Sequence, residues 1–186
     1  MTDATGTTTW GYDAASRVTS LDTPQGDMTY TFDNAGKRAT MVESVGTTNY
    51  SYDADSRLTS LENPYSETTS LSYDATSRLT QKTFASEMYD TFGYDSRNRI
   101  TSLAHKNSGG TVISSESYSY DDASNMTSKT VDSLTTSYTV DAANQLLTAS
   151  NTGYSYTYTY DANGNRANQV LNGTTYNYNY DSGDKL

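Results

Sequence analysis

Residues 158–166, YTYDANGNR, carry two tyrosines two apart, an aspartate directly after the second, and a glycine three residues beyond the aspartate. Spacing two puts both rings on one face of a strand. A residue tolerant of positive φ at the third position after the aspartate is what a three-residue hairpin loop needs, a type I turn closed by a left-handed residue. Near copies stand at 30–38 (YTFDNAGKR), 50–58 (YSYDADSRL), 92–100 (FGYDSRNRI) and 118–126 (YSYDDASNM). Internal periodicity outranks every other signal, because overlooking it misassigns the whole fold.

Aligned on the aspartate, the copies are Asp13, Asp33, Asp53, Asp74, Asp95, Asp121, Asp141, Asp161 and Asp181, spaced 20, 20, 21, 21, 26, 20, 20 and 20. Three residues earlier come Trp10, Tyr30, Tyr50, Leu71, Phe92, Tyr118, Tyr138, Tyr158 and Tyr178. One residue earlier come Tyr12, Phe32, Tyr52, Tyr73, Tyr94, Tyr120, Val140, Tyr160 and Tyr180. The slot three after the aspartate holds Ser16, Gly36, Ser56, Ser77, Asn98, Ser124, Asn144 and Gly164, all turn formers. Opposite the aspartate, four residues on, lie Arg17, Lys37, Arg57, Arg78 and Arg99, and then Asn125, Gln145 and Asn165. The aspartate column therefore has two structural tasks: it opens each turn by accepting backbone N–H groups, and in the first five repeats it pairs with a cation across the hairpin.

The aromatic just before the aspartate faces Val18, Leu58, Leu79, Ile100, Met126 and Leu146, which makes this the inner side. Arg38 and Arg166 occupy the same slot, and a dry core does not accept them without partners. Thirteen of the eighteen tyrosines fill the two aromatic slots, and each buried phenol needs a partner, so a partly hydrated interior is expected. On the other face, Gly11, Thr31, Ser51, Ser72, Gly93, Ser119 and Thr139 are set against Thr19, Ala39, Thr59, Thr80, Thr101 and Thr127, a small, flat surface.

About 20 residues suffice for two strands and two turns, and a single hairpin is marginal in water. The expected fold is all-β: tandem β-hairpin repeats forming a long, curled antiparallel sheet, an open spiral or a partial shell or barrel. Residues 1–9 form a lead-in and 10–186 an array of about nine repeats, the last incomplete, which suggests a fragment. Connections vary more than hairpins do, the longest being AHKNSGGTVISSE at 104–116.

Composition narrows the function classes. A net charge of −10 argues against nucleic acid and anionic membranes as partners, and no apolar run long enough to insert into a membrane is present. Only 33% of residues are hydrophobic, but 18 tyrosines separate the chain from disordered ones. Cysteine is absent and His105 is the single histidine, a solvated residue of the longest connection that lacks the company a zinc site requires. No nucleophile elbow accompanies it, and a row of turn aspartates does not converge as paired catalytic carboxylates must. No catalytic, cofactor or metal site is expected. Calcium, the one alternative for the aspartate column, is confined to the later, Arg-poor repeats. The sequons at Asn125 and Asn172 read as chance matches in an Asn- and Thr-rich chain.

The phrase Tyr-x-Tyr-Asp-x-x-Gly-Arg-Leu and its variant Tyr-Asp-Ala-Asn-Gly-Asn-Arg resemble the YD repeat of the Rhs family, shared by bacterial polymorphic toxins, insecticidal toxin-complex shells, wall-associated proteins and teneurins. The resemblance runs from Trp10 to Leu186, with Ser in the glycine slot and Val140 as departures. It implies a spiralling sheet wound into a hollow shell around a toxin polypeptide, with the aspartates, tyrosines and turn residues as framework. It also implies more copies than nine for closure, and the family's Asp-Pro-x-Gly segment is missing. The expected role is a non-catalytic length of shell or stalk that encloses or displays a cargo encoded elsewhere in the parent, extracellular or at the cell surface. The alternatives are an adhesin whose exposed rings (Tyr65, Tyr89, Tyr154, Tyr176) bind glycans, and a subunit that self-associates through open strand edges.

Overall fold

The computed structural model describes residues 2–3, 6–181 and 183. Among them are nineteen β-strands and no helix. Strands β1 (Thr2–Asp3) and β2 (Gly6–Thr7) pair with each other. There follow the aspartate hairpins β3 (Thr9–Tyr12) with β4 (Val18–Thr23), β5 (Gly26–Phe32) with β6 (Arg38–Glu43), β7 (Gly46–Tyr52) with β8 (Leu58–Glu62), and β9 (Thr68–Tyr73) with β10 (Leu79–Thr83). Next come β11 (Tyr89–Tyr94) and β12 (Ile100–Lys106), which flank the Asp95 turn. The hairpins β13 (Val112–Tyr120) with β14 (Met126–Val131), β15 (Leu134–Val140) with β16 (Leu146–Ser150), and β17 (Ser155–Tyr160) with β18 (Arg166–Leu171) precede β19 (Thr174–Asn177). The all-β, tandem-hairpin fold read from the spacing is the fold observed.

The chain divides into two compact units, residues 1–91 with 107–110 and residues 92–106 with 111–186. In the first, each strand from β3 to β11 is antiparallel to the next. In the second the same holds from β12 to β19. The return strand expected after Asp181 falls largely on residues outside the described ones.

Each aspartate turn has one geometry. In the first, the Asp13 N–H donates to the Arg17 carbonyl at 3.0 Å and the Ser16 N–H to the Asp13 carbonyl at 3.0 Å. The closing residue is left-handed in all eight turns that the described residues complete, with φ of 61° at Ser16, 82° at Gly36, 68° at Ser56, 65° at Ser77, 63° at Asn98, 72° at Ser124, 61° at Asn144 and 87° at Gly164. Asparagine can replace the aspartate: the Asn63 side-chain oxygen accepts the Tyr65 and Glu67 N–H groups at 2.9 and 3.0 Å, and Ser66 closes that turn at φ 62°. A non-glycine residue held left-handed is strained by about 1–2 kcal/mol, partly offset when glycine loses its extra freedom on folding. Ser16→Gly is therefore expected to raise stability by about 0.5 kcal/mol or more in urea titration. Ser77→Gly gains less, because the Ser77 hydroxyl also receives Arg57 at 3.2 Å.

Past the turn the structure departs from the simple alternation expected. Tyr12 lies opposite Val18, as read from the turn, but Gly11 lies opposite Ser20, so Thr19 is an extra, bulged residue. The same shift recurs after Phe32, Tyr52, Tyr73, Tyr120, Val140 and Tyr160. The expected pairing of Gly11 with Thr19, and its repeats down the flat face, is thereby corrected by one residue: Thr31 meets Thr40, Ser51 meets Ser60 and Ser119 meets Ser128. The cause is the left-handed closing residue, which commonly brings a bulge with it and adds twist. A consequence follows for the aromatic face, where the earlier ring of each repeat meets the residue eight after the aspartate, as Trp10 meets Leu21, Tyr30 Met41 and Tyr50 Leu61.

His105 is also relocated. The long connection is mostly strand: β12 and β13 pair through Ala104 with Ser115 and His105 with Ser114, so His105 is a half-buried strand residue rather than a solvated loop residue. The insertion lengthened two strands instead of the loop between them.

Candidate functional site: the turn edge and the aromatic face

The aspartate carboxylates are consumed by their own turns. Asp53 Oδ1 accepts the Asp55 and Arg57 N–H groups at 3.0 and 2.9 Å, and Oδ2 accepts Arg57 Nε at 2.7 Å. Asp13, Asp74 and Asp95 repeat the arrangement, each with Nε of the opposing arginine at 2.7 Å. Asp33 is contacted more loosely by Lys37, at 3.7 Å. In the later repeats Asn125 Nδ2 reaches Asp121 at 3.0 Å and Asn165 Nδ2 reaches Asp161 at 3.2 Å, while Asp141 accepts the Ala143 and Gln145 N–H groups at 2.8 and 2.9 Å. These bonds hold the Asp13, Asp53, Asp74, Asp95 and Asp161 carboxyls below the ordinary aspartate range, led in each case by the backbone N–H four residues on. At Asp121 the Asn125 side-chain amide is the leading cause. Among the described residues no cluster of His, Asp and Glu is arranged to hold a metal ion.

The cation does more than face its aspartate, and this second task leaves no mark in the spacing of a single hairpin. Arg57 Nη1 donates to the Asp74 carbonyl and the Ser77 hydroxyl of the next repeat, both at 3.2 Å, and its guanidinium lies 5.0 Å from the Tyr73 ring centre. Arg99 does the same to Asp121 at 2.9 Å, Ser124 at 3.2 Å and the Tyr120 ring at 4.6 Å. Arg17 stacks on Phe32 at 4.4 Å, and Lys37 reaches the Ser56 hydroxyl at 3.1 Å. Where the cation is replaced, Asn125 bonds Asn144 at 2.8 Å and Gln145 the Gly164 carbonyl at 3.4 Å. One side chain thus closes its own turn and clamps the following one.

A second clamp runs the opposite way. The tyrosine just before the aspartate donates its hydroxyl to a carbonyl beside the preceding repeat's bulge: Tyr52 to Arg38 at 3.0 Å, Tyr73 to Leu58 at 2.8 Å, Tyr120 to Ile100 at 2.9 Å and Tyr160 to Leu146 at 2.8 Å. The bulge leaves a carbonyl without a ladder partner, and the phenol supplies one. Tyr73→Phe is expected to lower stability by about 1 kcal/mol, the net worth of such a bond, with the ring's packing intact. Thermal melting beside Tyr12→Phe, which alters an exposed ring of the first repeat, gives the comparison.

The aromatic face is open to water. Among the described residues no side chain is fully buried, Ala149 at 6% exposure is the one buried hydrophobic residue, and Trp10 and Tyr12 remain 43% and 60% exposed. Shallow depressions recur between neighbouring repeats. One of about 330 Å³ is lined by Trp10, Val18, Leu21, Tyr30, Phe32 and Arg38. Others involve Met126, Tyr138 and Leu146, and Phe92, Leu103 and Tyr118. In the second unit the face also carries charge: Lys129 Nζ lies 3.0 Å from Glu116, whose carboxylate also accepts the Tyr118 hydroxyl. Tyr118 and then Lys129 hold the Glu116 carboxyl low, and that bond pushes the Tyr118 phenol up.

Of the four rings singled out for sugar contact, Tyr65 and Tyr176 are open, at 72% and 47% exposure. Tyr89 and Tyr154 are half-buried, with the Tyr154 hydroxyl 3.3 Å from that of Thr136.

Residues 1–28 and 52–87 match the family model described as RHS Repeat. No curated protein sequence matches the chain. Among solved structures, TcdB2-TccC3 without its hypervariable C-terminal region superposes with a TM-score of 0.76 at 18% identity, covering 92% of this chain and 12% of that one. TcdB2-TccC3 gives 0.75 at 19% identity over 92% and 12%. The Photorhabdus luminescens Tc holotoxin pore gives 0.67 at 21% over 82% and 9%. The chain spans about an eighth or less of the solved chains it resembles, and at these identities what they share with it is the fold. With the RHS Repeat model matched on two stretches and the same aspartate-turn geometry continuing through the described array, the chain is similar in its repeats and its fold to Rhs/YD-repeat proteins.

Proposed function

We propose that this chain is a non-catalytic length of wall in a larger Rhs-type shell, curled with its aromatic face toward a polypeptide encoded in the same parent and acting by exclusion and containment. The observation that carries the reading is the state of that face: rows of half-covered rings, a single buried hydrophobic residue among those described, and recurrent shallow depressions. A broad aromatic surface of this kind marks a site of contact. The turn chemistry supports the same reading, since the aspartates are spent on geometry and the cations opposite them on joining repeats. Extracellular or surface placement belongs to this reading.

The test is protection. Within the parent polypeptide, the segment encoded beside the array should resist added protease, and combined Arg57→Ala and Arg99→Ala, which release clamps on two turns, should expose it. Equal cleavage with and without the array overturns the proposal. Glycan binding through Tyr65 and Tyr176, or self-association through strand edges, are the competing readings; saturable glycan-array binding lost in Tyr65→Ala supports the first, and concentration-dependent light scattering the second.

A further inference from the structure

In the eight complete repeats the slot five residues after the aspartate is aliphatic or methionine in six and arginine in two, at Arg38 and Arg166. Both arginines are exposed on the aromatic face, and both are bracketed by the outer tyrosines of adjacent repeats. The Arg38 guanidinium carbon lies 4.7 Å from the Tyr30 ring centre and 6.0 Å from that of Tyr50. The Arg166 guanidinium carbon lies 5.2 Å from Tyr158 and 5.6 Å from Tyr178.

The electrostatic setting of these two is distinct. Arg17, Arg57, Arg78, Arg97 and Arg99 each pair with a carboxylate. Among the described residues neither Arg38 nor Arg166 does, and while Arg166 has the Gln169 side-chain oxygen at 3.1 Å, Arg38 is held by rings alone. A stacked guanidinium spends its face on the ring and keeps its edge donors, the ones that match a carboxylate bidentately. In a chain of net charge −10, a guanidinium placed without a carboxylate beside it is set up to receive one from elsewhere. Arg38 also forms part of the wall of the depression of about 330 Å³ whose remaining lining is apolar or aromatic.

We propose that this depression is a binding site for an acidic–aromatic element of a polypeptide: a phenyl or large aliphatic side chain seated against Trp10, Leu21 and Phe32, with a neighbouring carboxylate on the Arg38 guanidinium. The inference rests on the wall reading only for where the polypeptide comes from; the chemistry of the site stands on Arg38 and its pocket. Arg166, bracketed in the same way, marks a second anion-accepting position in the other unit.

Trp10 is the single tryptophan, so its fluorescence reports occupancy directly. The 186-residue chain is titrated with acetyl-Glu-Phe-amide and with acetyl-Gln-Phe-amide. The first should perturb Trp10 saturably and the second should bind more weakly by up to roughly fivefold, as a charge pair at an exposed arginine implies. Arg38→Gln should abolish that preference; the Tyr52 hydroxyl bonds the Arg38 backbone carbonyl, so the substitution leaves that clamp in place. Equal binding of the two peptides to the unaltered chain overturns the anion site, whatever the folding of the variant. Binding of neither peptide, with the adjoining segment still protected in the parent, overturns the pocket and leaves the wall reading standing. Loss of protection with peptide binding retained does the reverse.

Discussion

Gly46→Ala is expected to lower stability by about 4 kcal/mol, the sum of backbone strain and overpacking at roughly 2 kcal/mol each. Gly46 has φ +130°, a conformation L side chains rarely adopt, and a Cβ there would stand 2.9 Å from Pro64 Cβ in the next connection. Gly26 supplies the control: its φ is +141° but nothing lies within 4 Å of where its Cβ would stand. Gly26→Ala should therefore show the strain alone, about 2 kcal/mol. Urea midpoints for the two variants separate the contributions. Equal shifts would remove the Pro64 contact from the account. Since whole domains are stable by only about 5–15 kcal/mol, the larger loss should be visible as partial unfolding near ambient temperature.

The second large effect is a stability plateau bounded at both ends of the pH scale. Asp13, Asp53, Asp74, Asp95, Asp121 and Asp161 are held below the ordinary value of 3.8. Groups lowered on folding stabilise fully above that value, and the contribution drains away as pH falls through their folded values. Protonation would also replace the charge-assisted N–H bonds of each turn by weaker neutral ones, so the losses fall on many turns together. At the other end, Tyr52, Tyr118 and Tyr158 are raised above 10.0, through burial at Tyr52 and Tyr158 and through the Glu116 bond at Tyr118. Their contribution is complete below 10.0 and lost as pH rises beyond it. Melting temperatures should therefore be flat from about pH 5 to about pH 9 and fall on either side. A midpoint already falling between about pH 7 and 6 would overturn the assignment to the aspartate column.

The residues make legible whatever lies within one hairpin. The spacing of Tyr158, Tyr160 and Asp161 announces a strand and its turn, and the Ser, Asn and Gly column announces the left-handed closure. The face of Tyr12 against Val18 follows from the turn alone. The bulge does not, because a period-two reading continues unbroken through Thr19, and only the three-residue gap from Val18 to Leu21, echoed by Leu58 to Leu61, betrays that the strand has slipped a face. The clamps from Arg57 to Asp74 and from Tyr73 to Leu58 join residues 17 and 15 apart, across a connection of variable length, and no local pattern registers them. His105 escapes a sequence reading for a related reason: polar composition marks its segment as loop, yet paired strands with one face in water are equally polar.

The two clamps point in opposite senses along the chain, cation forward and phenol backward, and each ends on the adjoining hairpin. A newly made hairpin emerging from the ribosome thus meets a finished template: a tyrosine finds a waiting carbonyl and a guanidinium already spans the gap where its turn must form. Growth then resembles laying courses of brick, each keyed to the one beneath, and copies can be inserted or removed whole without redesign of the rest. Gene duplication can lengthen such a structure in single steps, so its reach is written in the number of courses.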